Sequence, residues 1–584
     1  MSSPRRPNVI LVLTDDQGYP PLGAHGHPFI RTPHLDAFHG DAVRFGQFHS
    51  GTTCAPTRAG LMTGHYCNST GVWHTIGGRS LLRKDEWTLA QALAGAGYRT
   101  GIFGKWHLGD DYPYRPQDRG FQTCVCHGGG GVSQGPDWWG NDYFDDTYRV
   151  NGEPRAFDGY CTDVFFREAL AFIEANRDEP FFCFVSTNAP HSPYNVEPRY
   201  QQLYEGLAQT ENYARFLGMI TNIDENFGRL RAKLAELGIE DDTILMFMSD
   251  TGQCGGAASR EPGVYNAGLR GFKGSEYEGG HRIPWLMRWP DGGVKGGKDV
   301  DELTAYIDFM PTMLDLCGIP VPPERSFHGR SLAPLARNRA DGADWAGRIL
   351  VTDTQRVADP VKWRMSCVMK GPWRLVDHDE LYDLAADPGQ QANVADRHPG
   401  IVAELRAAYE AWWSICSRQM AEEIPLSIGA EAQEVAILHT HDLRNADCDV
   451  VWNQRQIRQG QPCLGYWEVC VERPGTYAFD LRRWPGEAGH GIRAGIEGDD
   501  VVFRRDAIAE AEWPMYTGGK ALDIRTACLE VGSGPQRSVS LGDGDAAVFR
   551  LELAAGNTHV RAFFSNNRGL VQSPYYVYVR RVEG

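Results

Sequence analysis

The sequence predicts an α/β protein, a mostly parallel sheet sandwiched by helices, followed by a small C-terminal α+β subdomain and an additional all-β domain. Three observations carry this. Short apolar runs alternate with helical patterns between residues 8 and 290, short strands precede a long amphipathic helix between 330 and 434, and alternating strands with tight turns fill the remainder. The expected units are 1–329, 330–434 and 435–584. A chain of 584 residues exceeds what one core covers, and an apolar content of 42% supplies several.

The apolar runs of the first unit are Val9 to Leu13, Thr100 to Phe103, Phe181 to Val185, Thr243 to Met248 and Ile283 to Met287. Helical patterns fall between them at Thr88 to Ala96, Thr162 to Ala175 and Glu211 to Leu237, the last ending before Gly238. In the second unit Trp373 to Val376 and Glu380 to Leu384 read as strands, and Ile401 to Trp413 as a helix. In the third, Tyr466 to Val471 and Tyr477 to Leu481 flank the turn Arg473-Pro474-Gly475, which suggests a β-sandwich-like unit. The Gly128 to Gly131 run marks a mobile or tightly turning loop.

Composition excludes several classes. The net charge is -17 and no run of Lys or Arg is long enough to follow a phosphate backbone, so nucleic acid is not an expected partner. No apolar stretch approaches the ~18 residues of a membrane span, and Met1 to Pro7 passes straight into the first strand, unlike a signal peptide. The expected location is cytoplasmic, or secreted or periplasmic if a signal was removed. The fourteen cysteines are scattered without a framework and read as reduced core residues.

Open sheets of this type bind ligands beyond the carboxyl ends of their strands. Here those positions carry Asp15-Asp16, then Lys105 and His107, then His191, then Asp250. Each alone has a bland reading as a cap, a packed imidazole or a solvated charge. Their recurrence at the same place in successive units points to one site.

The segment Cys54-Ala55-Pro56-Thr57-Arg58, with Asp15-Asp16-Gln17-Gly18, Gly104-Lys105-Trp106-His107, Asn188-Ala189-Pro190-His191, Ser249-Asp250-Thr251-Gly252 and Phe272-Lys273-Gly274, resembles the type I, arylsulfatase-A-like sulfatases of the alkaline-phosphatase superfamily. The resemblance covers roughly residues 5 to 420, in family order. It implies a sulfuric ester hydrolase in which a separate formylglycine-generating enzyme oxidises Cys54 to formylglycine. One hydroxyl of the hydrated aldehyde attacks sulfur, and the other loses its proton to expel sulfate. It further implies that Asp15, Asp16, Cys54 and Asp250 hold a divalent cation, calcium foremost, in an oxygen-rich shell. Arg58 would steady the diol, Lys105 bridge sulfate and diol, His107 accept the diol proton, and His191 and Lys273 face the bridging oxygen, one of them as the acid. Thr251 departs from the commoner Asn, which leaves the fourth ligand to Thr251, to Gln253 or to neither.

From the residues themselves, Pro56 suits a first helical turn and so places Cys54 near a helix N-terminus, where backbone amides favour an anion. The ring-rich segment from Gln134 to Phe144 could stack on a sugar, but Trp138 and Trp139 read slightly better as packing anchors, as does Trp73-His74. The third unit looks like the β extension of some bacterial members and reads best as a packed stabilising domain. The expected substrate is a sulfated saccharide or small hydroxylated molecule. A phosphonate or phosphate-ester hydrolase of the same superfamily and a non-catalytic sulfated-glycan binding protein are the alternatives, and a homo-oligomer is left open.

Overall fold

The computed structural model describes residues 6–257, 263–339, 343–498 and 518–582. The first five residues of the N-terminal stretch, read above against a signal peptide, lie outside that range. Among the described residues the principal sheet has ten strands: β1 Asn8–Thr14, β2 Val43–Phe45, β3 Arg99–Gly104, β4 Thr123–Cys126, β5 Thr147–Val150, β6 Glu153–Ala156, β7 Phe181–Ser186, β8 Thr243–Ser249, β9 Trp285–Arg288 and β10 Asp299–Val300. Their order across the sheet is β10-β2-β9-β8-β1-β7-β3-β4-β5-β6. The five strands from β8 to β4 are mutually parallel, whereas β9 joins antiparallel to β8 and the hairpin β5–β6 closes the other side.

The sequence of β1 dictates its central place. All seven residues of Asn8-Val9-Ile10-Leu11-Val12-Leu13-Thr14 are buried, as a strand covered on both faces requires. Val9, Leu11 and Leu13 join one core, with Ala55, Ala59, Leu61 and Met62 of the helix Cys54–Thr63. Ile10 and Val12 join the other, with Phe165 and Ile173 of the helix Cys161–Ala175 and Leu217, Ile220 and Phe227 of Glu211–Glu236. Each such side chain contributes about 1.5–3 kcal/mol on burial, so the alternation fixes the strand's register and faces together. The expected helices are present: Leu89–Gly95 begins at Thr88 with a reciprocal cap from Gln91, and Thr210 caps Glu211–Glu236 by accepting from the Tyr213 amide.

A four-stranded antiparallel sheet, Ile349–Asp353, Ser366–Lys370, Trp373–Val376 and Glu380–Asp383, packs against the helix Pro399–Met420. Two further sheets share one core through residues such as Trp467, Phe479, Phe564 and Val579. The strand Leu426–Ile428 pairs with Trp467–Val471, so this β assembly draws a strand from before residue 435. No helix among the described residues is long and apolar enough to cross a membrane. All fourteen cysteines are free thiols.

Candidate active site

Strand register assembles the site. Thr14 lies opposite Ser249, Leu13 opposite Ser186, and Ser186 opposite Gly104, so four parallel strands end at nearly one level. The residues just past them therefore meet: Asp15 and Asp16 after β1, Asp250 after β8, Lys105 and His107 after β3, and His191 in the loop after β7. Cys54 arrives from the facing layer as the first residue of the helix Cys54–Thr63, and it is only 2% exposed.

Ligand atoms of Asp15, Cys54 and Asp250 lie within 4.8 Å of one another. Asp250 is gripped from both sides: Arg58 donates to its Oδ2 from Nε at 3.0 Å and Nη2 at 2.8 Å, while the Asp16 amide donates to its Oδ1 at 3.1 Å. The other end of the Arg58 fork donates to the Ser186 hydroxyl and the Lys105 carbonyl, tying three strand ends to one guanidinium. Lys105 donates to Asp15 Oδ2 at 2.7 Å, and Asp15 Oδ1 is buried without a partner. Burial pushes the Asp15 carboxyl well above the usual carboxylate range; Lys105 opposes that, and Asp250 and Asp16 add to it. The bare Asp15 oxygen and the neighbouring Asp250 carboxylate are hard oxygen donors beside the Cys54 position, and they fit a divalent cation. Asp16 stands apart from the tight group. Its carboxylate accepts from Lys273 and from the Thr251 hydroxyl, with His191 Nε2 at 3.6 Å.

Thr251 therefore buttresses Asp16, its hydroxyl oxygen lying 2.9 Å from the Gly252 carbonyl as well. Gln253 spends its amide nitrogen on Tyr265 and Asn266. Its carbonyl Oε1, the atom that could ligate a cation, is buried without a partner.

Asp16 and His107 both adopt left-handed backbone, with φ of 66° and 63°, a strain that side chains other than glycine accept where the surroundings over-determine them. His107 Nε2 donates to the Thr75 carbonyl at 3.0 Å, which leaves Nδ1 as the bare nitrogen, buried and unpartnered. Burial, then Lys105, holds this imidazole well below its ordinary range, so it is neutral with a free lone pair. His191 donates from Nδ1 to the Ser192 carbonyl at 2.6 Å, and burial lowers it to about 4 against the pull of Asp16. Lys273 keeps its proton: burial alone would lower it, but Asp16, Cys54 and Asp15 raise it overall. Burial also raises the Cys54 thiol against Lys105 and Lys273, so Cys54 is not a thiolate nucleophile in its own right.

Cys54, His107, His191 and Lys273 open onto a pocket of about 270 Å³ whose remaining wall includes His74, Gln134, Arg356 and Trp452. None of these last four was among the sequence candidates. Expectation and structure part at two places here. Trp73 is a packing residue, 3% exposed, but its neighbour His74 faces the pocket. Trp139 packs edge-on to Trp484 at 5.4 Å as expected, yet Gln134 from the same segment lines the site. The β assembly likewise does more than stabilise, since it supplies Trp452; the Gly135 amide donates to the Trp452 carbonyl at 2.8 Å and Tyr576 donates to the Gly135 carbonyl at 3.1 Å. Nothing local in the sequence marks Trp452, because its role depends on a contact between distant segments.

The Gly128 to Gly131 run is a tight turn against the His107 imidazole. A Cβ on Gly130 would lie 2.3 Å from His107 Cε1. Gly130→Ala is therefore expected to push the ring off the Thr75 carbonyl and lower kcat by about 100-fold, the scale for an ångström of misplacement. Steady-state kinetics with a melting curve checks it, and an unchanged kcat would remove His107 from the reaction.

The family model for sulfatases matches residues 7–319, and that for the C-terminal part of N-sulphoglucosamine sulphohydrolase matches 272–410. This chain belongs to the sulfatase family. Mouse steryl-sulfatase is 26% identical over 524 residues, covering 70% of this chain and 82% of that protein. Pig N-acetylgalactosamine-6-sulfatase is 30% identical over 359 residues, 57% of this chain and 66% of its own length. Among solved structures, Ps i-CgsB in complex with k-i-k-neocarrahexaose superposes with a TM-score of 0.64 at 25% identity, over 71% of this chain and 94% of that one. The sulfatase is thus a sulfuric ester hydrolase with the expected fold. Residues beyond 410, Trp452 among them, lie outside both family models.

Proposed function

We propose that this sulfatase hydrolyses a sulfate monoester on a saccharide, using a formylglycine formed from Cys54 and a divalent cation, calcium foremost, held by Asp15 and Asp250 with Asp16 alongside. The observation that carries the reading is the convergence of Cys54, at a helix N-terminus, with Asp15 and Asp250 within 4.8 Å beneath a polar pocket. The cation, when bound, supplies Lewis-acid withdrawal of charge from sulfate. The hydrated aldehyde supplies one hydroxyl to attack sulfur and a second whose deprotonation releases sulfate.

The chain's own residues do the rest. Arg58 orients Asp250 and closes the floor. Lys105 and Lys273 carry the positive charge that holds sulfate as charge builds on its oxygens. His107 Nδ1 is the neutral base for the second hydroxyl, its tautomer fixed by Thr75. Lys273, which keeps its proton, faces the pocket as the donor for the departing alkoxide, with the neutral His191 ring beside it. Because Cys54 is 2% exposed, the formylglycine-generating partner must act before the chain closes over it.

Matched aryl sulfate and aryl phosphate esters test the reading in matured protein. Faster release from the sulfate ester, lost on chelation and restored by calcium, is the expected outcome. Faster release from the phosphate ester would replace it with a phosphate-ester hydrolase of the same superfamily.

A further inference from the structure

We infer that this site selects a sulfated saccharide bearing a second anionic group, which Arg356 pairs with while the sugar ring lies against Trp452. The inference rests on the sulfatase reading above and adds the substrate class to it. Its starting point is an imbalance among the cations of the pocket. Lys105 is paired with Asp15, Lys273 with Asp16 and Arg58 with Asp250. Arg356 also lines the pocket and is exposed, and among the described residues its guanidinium has no hydrogen bond or ion pair. In a chain of net charge -17, a cation left without a carboxylate at the mouth of an anion-binding pocket is placed for a ligand. The sulfate under attack draws on Lys105 and Lys273, so Arg356 remains for a second anion, and its planar fork suits a carboxylate or sulfate in two-point contact.

The rest of the wall fits a sugar. His74 accepts the Thr75 amide at Nδ1, at 2.6 Å, so Nε2 carries the hydrogen, a neutral donor for a hydroxyl. Gln134 accepts the Gly130 amide at Oε1, at 2.8 Å, which leaves its NH₂ group as a second donor. The Trp452 main chain is held at both ends, by Gln456 and by Gly135, which presents its partly buried indole as a fixed face. A cavity of about 270 Å³ is smaller than the ~300 Å³ at which pockets for drug-sized ligands begin.

The test is equilibrium binding, which does not depend on turnover. Cys54→Ala protein in calcium buffer is titrated calorimetrically with a panel of monosulfated glucosamines and the disulfated glucosamines derived from them. Unmatured wild-type protein, still carrying the thiol, gives the same comparison should the variant fold poorly. At least one disulfated sugar is expected to bind about tenfold or more tightly than its monosulfated parent, the scale of a charge-assisted contact. Adding Arg356→Ala should collapse that ratio to about one, and Arg356→Lys should restore part of it. Equal affinities across the panel, or a ratio that survives Arg356→Ala, would overturn the inference. So would an equal loss for both sugars, which marks Arg356 as a general electrostatic contributor. Sulfate release by matured protein on the same panel is scored separately: no release with the binding ratio intact would fail the hydrolase reading and leave this one standing.

Discussion

Cys54→Ala is expected to release no sulfate above background while melting within a few degrees of the wild type. The loss should be on the order of 10⁶-fold, the scale seen when a covalent nucleophile is removed. Stability should hardly move. Cys54 opens the helix Cys54–Thr63, a position where alanine is a good helix former, and the ion pairs around it, Arg58 with Asp250 and Lys105 with Asp15, are made without its sulfur. Deleting one small buried group costs about 1 kcal/mol. Cys54→Ser should be equally inactive unless a maturation enzyme that oxidises serine is present. Undiminished turnover in the alanine variant would sink the formylglycine mechanism.

Arg58→Ala is expected to lose both activity and about 3–5 kcal/mol of stability, because removing one partner strands a buried charge. Arg58 is 2% exposed and Asp250 wholly buried. The Arg58 fork makes two contacts with Asp250 and two more with Ser186 and the Lys105 carbonyl. An ammonium cannot reproduce that spread, so Arg58→Lys should recover only part of the loss. Urea unfolding in chelator isolates the protein's own contribution, since a bound cation would offset the charge left on Asp250. Asp250→Ala combined with Arg58→Ala should cost less than the sum of the two single variants. Additive losses would mean that the pair acts independently, against the geometry.

The parts of the site legible in the sequence are those set by strand ends. Val9 to Leu13 and Thr243 to Met248 are continuous apolar runs, and parallel pairing in register carries Asp15 and Asp250 together whatever the loops do. Pro56 marked the helix start at Cys54 for a local steric reason, and the helix does begin there. The short strands Thr123–Cys126 and Thr147–Val150 were not legible, because four residues with polar neighbours give no periodicity. The pocket wall escaped for a different reason. His74, Gln134, Arg356 and Trp452 come from four separate segments, each with an ordinary local pattern, and only tertiary packing makes them neighbours. Gly130 shows the intermediate case: the glycine run signalled a mobile or tightly turning loop, but not that it turns against His107.

The measurement that bears most directly on the account is the mass of the tryptic peptide Phe45 to Arg58, taken from preparations made with and without a formylglycine-generating enzyme and paired with sulfate release by each. The account predicts an aldehyde at Cys54 in every active preparation, with turnover rising in proportion to the converted fraction. Sulfate release by a preparation in which Cys54 is wholly thiol would contradict it.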